Sequence, residues 1–563
     1  MHTADRKVME FMNYQKYQRM YHPIPIKNRE WPDKQITEAP VWCSVDLRDG
    51  NQALYSPMTI DEKIEFFKYL VKLGFKEIEV GFPAASATEY DFVRRLIDED
   101  LIPDDVSIQV LTQAREHIIK KTIESLKGAK NAIVHLYNST STLQRRVVFH
   151  KNKEEIKQLA VDGAKLVTSL VEGQLDGNIR YEYSPESFTC TEPEYAVEVT
   201  NAVLDILKPT PERKVIVNLP STIEVATANV YADQIEYMCK HLNNRENLII
   251  SLHAHNDRGT GVGSTELGLL AGADRVEGTL FGNGERTGNT DIITVALNMF
   301  CQGIDPKLNI DNIDETIAVF EKYNQLPINP RHPYAGEMAY VAFSGSHQDA
   351  IKKSMDVYEA DHSQKWANPY LTIDPTDIGR KYEPILINSQ SGKGGVSYIM
   401  ENKYGYTLPK NMLVEFSAII NDMSDEKKTV LTNHEIHQAF KDIYVNVDAP
   451  IKMKFYHTNH DTDNSTVISA TIEANSKVIN IGGKGNGPLD ALCEGLRKHL
   501  GKGFEIVEYT EHSLARSSSS KAAAYIGIRT DDDKIFWGSG VDANINTASI
   551  YALISAVNKM PEK

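Results

Sequence analysis

Between residues 41 and 280 eight short apolar runs alternate with segments of helical periodicity, and no other feature of this chain narrows its fold so far. The runs are Val41–Leu47, Ile78–Phe82, Val106–Leu111, Ala132–Tyr137, Ile179–Tyr183, Val215–Leu219, Leu248–Leu252 and Val276–Leu280. Runs this short have strand length, and their near-continuous apolar character fits strands covered on both faces. The first segment between them is bounded at both ends. Thr59 precedes it with Glu62 three residues on, Ile60, Ile64, Phe67, Leu70 and Val71 share a face, and Gly74 stops it. Eight alternations spread over about 250 residues predict an α/β chain that begins with a (β/α)8 TIM barrel. An open doubly wound sheet shares the alternation. The count of eight favours the barrel, as does the single glycine of DLRDGNQAL, where a phosphate-binding loop needs several.

The rhythm stops near residue 300. Residues 1–40 are rich in Tyr, Pro and charge and read as an extension without a core of its own; 41–305 hold the barrel; 306–440 read as a mostly helical linker; 441–563 change character again. This last segment carries an internal duplication. One unit runs IKMKFYH, STVISATIEA, KVINIGG, GPLDALCEGLRKHL, and the other FEIVEYTEH, KAAAYIGIRT, KIFWGSG, INTASIYALISAVNK. Each reads as three strands, a Gly-rich corner and a helix, giving an α+β domain of two βββα units. Such a pseudo-twofold domain is either a place for a small ligand or a structural addition.

Composition excludes several classes of partner. With 61 Lys and Arg against 77 Asp and Glu, the net charge of −16 repels nucleic-acid phosphates and anionic membranes. No apolar run approaches the roughly 20 residues of a membrane span. The segment MHTADRKVMEFMNYQKYQRM has charges where a signal peptide needs its apolar stretch. Cys43, Cys190, Cys239, Cys301 and Cys493 are dispersed and never form CxxC, which fits a reducing, cytoplasmic setting.

In a barrel the chemistry lies where the strands end. Those positions hold Arg48 and Asp49, His135, Ser184 and Glu186, Thr222, His253 and His255, and the loop GNGERTGN with Asn283, Glu285, Arg286 and Asn289. The sharpest element is His253-Ala254-His255. Residues two apart on a strand face the same side, so both imidazoles can meet one metal ion. Asp49 lies across only one strand from them in a closed barrel. Two imidazoles and a carboxylate leave coordination positions open, as catalytic sites do. HxH alone equally describes two hydrogen-bonded strand histidines; Asp49, Asn289 and the neighbouring polar strand ends weigh against that. Arg48 beside Asp49 is placed to stabilise an oxyanion, and its structural alternative is an ion pair with a carboxylate such as Glu285.

Other patterns lose their force on inspection. SQSGKGG around Lys393 has Ile387 and Gly394 where a P-loop needs Gly and Ser or Thr. Gly259–Gly263 lacks the last spaced glycine of a dinucleotide loop. His434-Glu-Ile-His437 is one residue short of HExxH and reads as an exposed helix pair, and His457–Asp463 reads as a solvated hairpin loop.

LRDGNQ (Leu47–Gln52), with Lys63 following after ten residues, resembles the first signature of the 2-isopropylmalate synthase and homocitrate synthase family, and LHAHNDRGTGVG (Leu252–Gly263) resembles the second. The likeness continues through EVGFPAAS, QVLTQ, VHLYNSTS, YSPES, NLPST, GNGERTGN, RHPYAG, FSGSHQDAI and NSQSGKGGV, and it is similar to the long form with a C-terminal leucine-responsive domain. The resemblance implies a Claisen-type condensation of acetyl-CoA with 3-methyl-2-oxobutanoate, followed by thioester hydrolysis to 2-isopropylmalate and CoA. It implies metal ligands at Asp49, His253, His255 and Asn289, for Mg2+, Mn2+ or Zn2+, with K+ as an activator. Keto-acid contacts fall on Arg48, His135, Ser184, Glu186 and Thr222, with Asn283, Glu285 and Arg286 in the adjoining loop. His347 in FSGSHQDAI and Tyr370 in NPYLTIDP match catalytic residues supplied by the connecting region, in trans in a homodimer.

The chemistry behind these roles is consistent. A 2-oxo acid chelates a divalent ion through its carboxylate and keto oxygens, and Arg48 adds positive charge where the alkoxide develops. His347 is a natural base for the acetyl methyl, with Tyr370 orienting it, while Glu186 and a relayed water are alternatives. Leucine is expected at the C-terminal corners, where Gly485, Gly487, Gly540 and Asp542 flank helix starts and Leu489, Ile545 and Ala548 surround a branched side chain. Citramalate synthase on pyruvate and homocitrate synthase on 2-oxoglutarate are rivals within the family. A metal-dependent amidohydrolase and an amino-acid-sensing module are rivals outside it.

Overall fold

The eight runs form eight parallel strands: β1 (Val41–Ser44), β2 (Glu77–Gly81), β3 (Ser107–Gln113), β4 (Asn131–Ser139), β5 (Asn178–Glu186), β6 (Val215–Ser221), β7 (Leu248–Ala254) and β8 (Arg275–Gly278). They pair in sequence order, and β1 closes the barrel on β8 through Val41↔Arg275 and Cys43↔Glu277. The computed structural model describes residues 16–361, 365–380, 382, 393–427, 431–460, 465–474, 476–514 and 520–561. By its internal contacts the chain forms two units, Met1–Ala339 with Thr376–Arg380 and Tyr340–Pro375 with Lys381–Lys563. No helix among the described residues is long and apolar enough to cross a membrane.

In the first unit the helix α1 (Ile60–Leu73) has the expected punctuation. The Thr59 hydroxyl accepts from Glu62 N at 3.3 Å, the Glu62 carboxylate accepts from Thr59 N at 2.8 Å, and Gly74 ends the helix at φ 104°. The apolar core lies outside the barrel wall, where Ile78, Val80, Ile108, Val110, Ala132 and Val134 are buried on the face opposite the barrel interior. The helix Ile313–Asn324 also packs here, with Tyr69 Oη donating to Thr316 at 2.9 Å. The extension is anchored: Arg29 and Trp31 donate to Asp233 at 2.7 and 3.0 Å.

β1 departs from the expected run. It stops at Ser44, and Asp46–Gly50 form one wide helical turn closed by three N–H groups on Val45 O. The buried Asp46 carboxylate drives the turn, because it accepts from Ser44 Oγ at 2.8 Å and Leu280 N at 3.0 Å. Burial pushes that carboxyl up to about 7. The turn presents Arg48 and Asp49 side by side at the barrel mouth.

The second unit contains the helices Gly345–Ala360, Lys410–Lys427 and Asn433–Tyr444, then two antiparallel three-stranded sheets. β9 (Ile451–His460), β10 (Thr466–Ala474) and β11 (Lys477–Gly485) precede the helix Pro488–Leu500; β12 (Phe504–Ser513), β13 (Ala522–Thr530) and β14 (Ile535–Asp542) precede the helix Ile545–Asn558. Ile468, Ile472, Leu492, Leu496, Ile526, Ile528, Ile550 and Leu553 share one core, so the duplicated βββα pattern is real.

The Gly-rich corners are a correction. Gly482, Gly483 and Gly485 lie in β11, and Gly538 and Gly540 in β14. A Cβ at Gly483 would overlap Ala491 O, and one at Gly540 would overlap Ala548 O. These glycines let each helix lie directly on its strand; they are not turns. Two further expectations change. His457–His460 belong to β9, while residues 461–464 lie outside the described residues. His437 is half-buried and stacked on Tyr404 at 3.8 Å. Residues 389–392 of the SQSGKGG stretch are also outside the described residues.

Candidate active site

Asp49 from the turn after β1, His253 at the end of β7 and His255 just beyond it converge at the barrel mouth, with one ligand atom from each lying within 4.8 Å of the others. His253 Nε2 and His255 Nε2 stand 3.3 and 3.7 Å from Asp49 Oδ2. All three residues are buried. The opposite ring nitrogens are already engaged, His253 Nδ1 with Glu277 at 2.8 Å and His255 Nδ1 with Gly288 O at 3.2 Å. Those contacts fix the rings and leave both Nε2 lone pairs to the centre. Asn289 joins them, bridged to His255 through the backbone. The donor set fits a divalent cation on two observations: Asp49 Oδ2 and Asn289 Oδ1 are buried and have no hydrogen-bond donor among the described residues.

Electrostatics favour a charged ligand set. Burial would raise the Asp49 carboxyl, but Arg48 and His253 hold it well below the usual carboxylate range. Burial opposes protonation of His253, yet Asp49 and Glu277 lift it to about 9. Burial and the neighbouring His253 push His255 down to about 4. A proton and a metal ion therefore compete for the same His253 lone pair.

Arg48 is held at 2.9 Å by Asp49 and at 3.0 Å by Glu79, while its buried Nε–H has no acceptor among the described residues. The expected partner Glu285 accepts instead from Gln52 at 2.6 Å. The reason is the pleat: Glu79 on the adjacent strand β2 points into the barrel beneath Arg48, whereas Glu285 sits on the rim loop.

A cavity of about 380 Å³ opens here, lined by Arg48, Asp49, Gln52, His135, Ser184, Glu186, Thr222, His253, His255, Glu285 and Arg286, with Phe82, Leu111, Tyr137, Asn218 and Pro220 completing its wall. His135 bonds Ser184 Oγ at 2.7 Å, and Thr222 Oγ1 accepts from Ser187 N at 3.0 Å, which frees the threonine hydroxyl proton. Ser139 donates to Glu186. Arg286 ties the rim together, donating to Asp257 at 2.8 Å and Thr222 O at 2.5 Å. Asn283 does not line the cavity; its amide links Gly50 O and Asn324 at 3.1 and 2.9 Å.

His347 and Tyr370 lie in the second unit, where their rings stack at 3.9 Å. Of the C-terminal positions, Gly485 and Gly540 are strand residues, Gly487 caps the helix Pro488–Leu500, and Asp542 accepts from Asn544 N at 2.8 Å. Leu489 packs on the core, Ala548 is buried, and Ile545 is exposed.

Sequence reasoning missed the layer beneath the mouth. Arg275, fully buried, donates to Glu77, Gln109, Ser251 and Glu277 at 2.6 to 2.8 Å. Glu277 in turn orients His253 and accepts from Asn218 at 3.1 Å. Glu79, His135 and Glu277 also cluster tightly, but Arg48, Arg275 and His253 occupy their oxygens, so this set supports the first one. The signal was present as charges at alternate positions of EIEVG and RVEG.

A closed parallel barrel carrying a carboxylate and two imidazoles at the C-terminal ends of its strands defines a barrel enzyme with a candidate metal centre, and residues 39–319 match the HMGL-like family, whose members depend on divalent metal. Residues 337–401 match the alpha-isopropylmalate synthase post-catalytic domain-like family, and residues 430–561 the LeuA allosteric (dimerisation) domain. The chain is 54% identical over 556 residues to the 2-isopropylmalate synthase of Clostridium acetobutylicum, covering 97% of this chain and 99% of that one. It is likewise 54% identical over 559 residues to that of Helicobacter hepaticus, covering 98% and 100%. The chain belongs to the 2-isopropylmalate synthase family and is an acyltransferase-type enzyme.

Proposed function

We propose that this enzyme condenses acetyl-CoA with 3-methyl-2-oxobutanoate and hydrolyses the thioester, giving 2-isopropylmalate and CoA, under feedback by leucine. The observation that carries this reading is the 380 Å³ cavity, in which the Asp49–His253–His255 set and Arg48 face a wall containing Leu111 and Pro220. The carboxylate and keto group of a 2-oxo acid suit the polar side, and a branched alkyl group suits the apolar side. The distal carboxylate of 2-oxoglutarate needs another cation there, but Arg48 and Arg286 are already paired. The methyl of pyruvate leaves the apolar wall underfilled.

A second cavity of about 540 Å³ shares Arg48, Gln52 and Phe82 with the first. We assign it to the acyl donor, whose long arm needs a channel that ends at the keto acid. Asp49, His253, His255 and Asn289 would hold a divalent ion, which would supply Lewis-acid polarisation of the keto group. Arg48 directs positive charge at the keto oxygen, and His135, Ser184 and Thr222 orient the acid. His347, oriented by the stacked Tyr370, removes a proton from the acetyl methyl, whose carbon bonds the keto carbon. The keto oxygen ends as a hydroxyl, and water then cleaves the thioester and releases the CoA thiol.

CoA release against a panel of 2-oxo acids tests the assignment. The expected kcat/KM is highest for 3-methyl-2-oxobutanoate, and a higher value with pyruvate or 2-oxoglutarate replaces it. The base is expected to act across a homodimer: mixing His347→Ala with Asp49→Ala subunits restores part of the activity. No recovery in verified heterodimers places the base within one chain.

Leucine is assigned to the paired βββα units, with Ile545 at an exposed helix start. Ile545→Arg is expected to weaken leucine binding by about tenfold, roughly 1.4 kcal/mol, in calorimetry while keto-acid binding persists. Competition between leucine and the keto acid overturns this part of the reading.

A further inference from the structure

Lys63 is a charged group that the proposed chemistry does not use. It projects from α1, its side chain is completely buried, and its ammonium pairs with Glu89 in the first turn of the helix α2 (Ala87–Asp98) while lying 4.9 Å from the Phe92 ring. Burial pushes this ammonium below the usual lysine range, and Glu89 opposes the fall. Buried ion pairs of this kind seldom add net stability over apolar residues of the same volume.

The other oxygen of the same carboxylate shows what the pair holds. Glu89 Oε2 accepts from Phe82 N at 3.2 Å. Phe82 lines both cavities, so its backbone sits at the partition between them. The carboxylate comes so close that a Cβ on Gly81 would overlap Glu89 Oε2. Gly81 has no left-handed backbone angle, so the glycine is there for space. The Ser86 hydroxyl accepts from Glu89 N at 3.2 Å, which anchors the far end.

We propose that Lys63 and Glu89 are positioning residues: the buried pair is a strut that fixes Phe82 and thereby aligns the acyl-donor cavity with the keto-acid cavity. The inference rests on the assignment of the two cavities made above. Among the described residues no hydrogen bond or ion pair joins the strut to the metal ligands or the keto-acid contacts, and Glu89 itself also lines the acyl-donor cavity, so the strut governs the approach of one substrate to the other.

The test is kinetic. In the full-length enzyme, Lys63→Met/Glu89→Leu removes both charges and the acceptor while filling the space. Metal content and calorimetric keto-acid affinity are expected to stay within about twofold. KM for acetyl-CoA is expected to rise, and kcat to fall, by about tenfold or more, as misalignment of reacting partners costs. Glu89→Gln keeps an acceptor for Phe82 N and should recover part of the loss. Gly81→Ala, which pushes the carboxylate off Phe82 N but leaves Lys63 and Glu89 in place, should reproduce the rise in KM and decides the matter if the double variant fails to fold. Wild-type kinetics in Gly81→Ala or in the folded double variant overturns the proposal, as does an equal loss of keto-acid affinity. A wild-type enzyme that releases no CoA from acetyl-CoA with any 2-oxo acid refutes the proposed function instead.

Discussion

Asp49→Ala is expected to lose bound divalent metal and turnover together. Asp49 is the only carboxylate in the three-residue set, and its Oδ2 faces both His253 and His255. Without it two imidazoles remain beside Arg48, whose charge then repels a cation that it formerly flanked. Loss of several kcal/mol of transition-state stabilisation by the ion corresponds to a rate loss of about 10³-fold or more. Metal analysis after dialysis and CoA release on the same sample check it. Full activity in exhaustively chelated wild-type enzyme refutes the metal's role. Glu277→Gln offers a graded companion, since loss of a partner behind a histidine ligand weakens metal binding by about 10- to 100-fold.

Arg48→Lys is expected to lower kcat by about 10²-fold or more while metal content is preserved. The guanidinium spans Asp49 and Glu79 at once and still has a free Nε–H. A lysine has one ammonium for those three tasks and no planar fork. Near-normal turnover in this variant makes Arg48 a structural clamp between β1 and β2 instead of a participant.

Periodicity made the barrel legible because strand and helix periods differ and the count reached eight. His253, His255 and Asp49 were legible because period-two geometry and barrel closure place them together regardless of detail. Glu79 and Glu277 were overlooked, although EIEVG and RVEG alternate, because a charge inside an apolar run is easily read as an interruption. The pairing of Arg48 with Glu79 depends on which neighbour's pleat points inward, and no local pattern carries that. Gly483 and Gly540 were misread because a glycine marks either a turn or a close approach, and only the position of the helix above it decides between them. The end of β1 was misplaced because Val45 and Leu47 extend the apolar run into a turn set by a buried Asp46 carboxylate.

The polar interior of the barrel sets where this enzyme can be re-engineered. Glu77, Glu79 and Glu277 pair there with the guanidiniums of Arg48, Arg180 and Arg275, and burial and Glu277 push the Glu182 carboxyl well above the usual range. Changing one member of that paired network strands a charge in a dry interior, which is far costlier than an ordinary core substitution. Evolution toward another 2-oxo acid therefore has little freedom in the lower barrel. Leu111 and Pro220, uncharged and on the cavity wall, are the positions where size and shape can drift without disturbing that network, and a library aimed at new substrates belongs there.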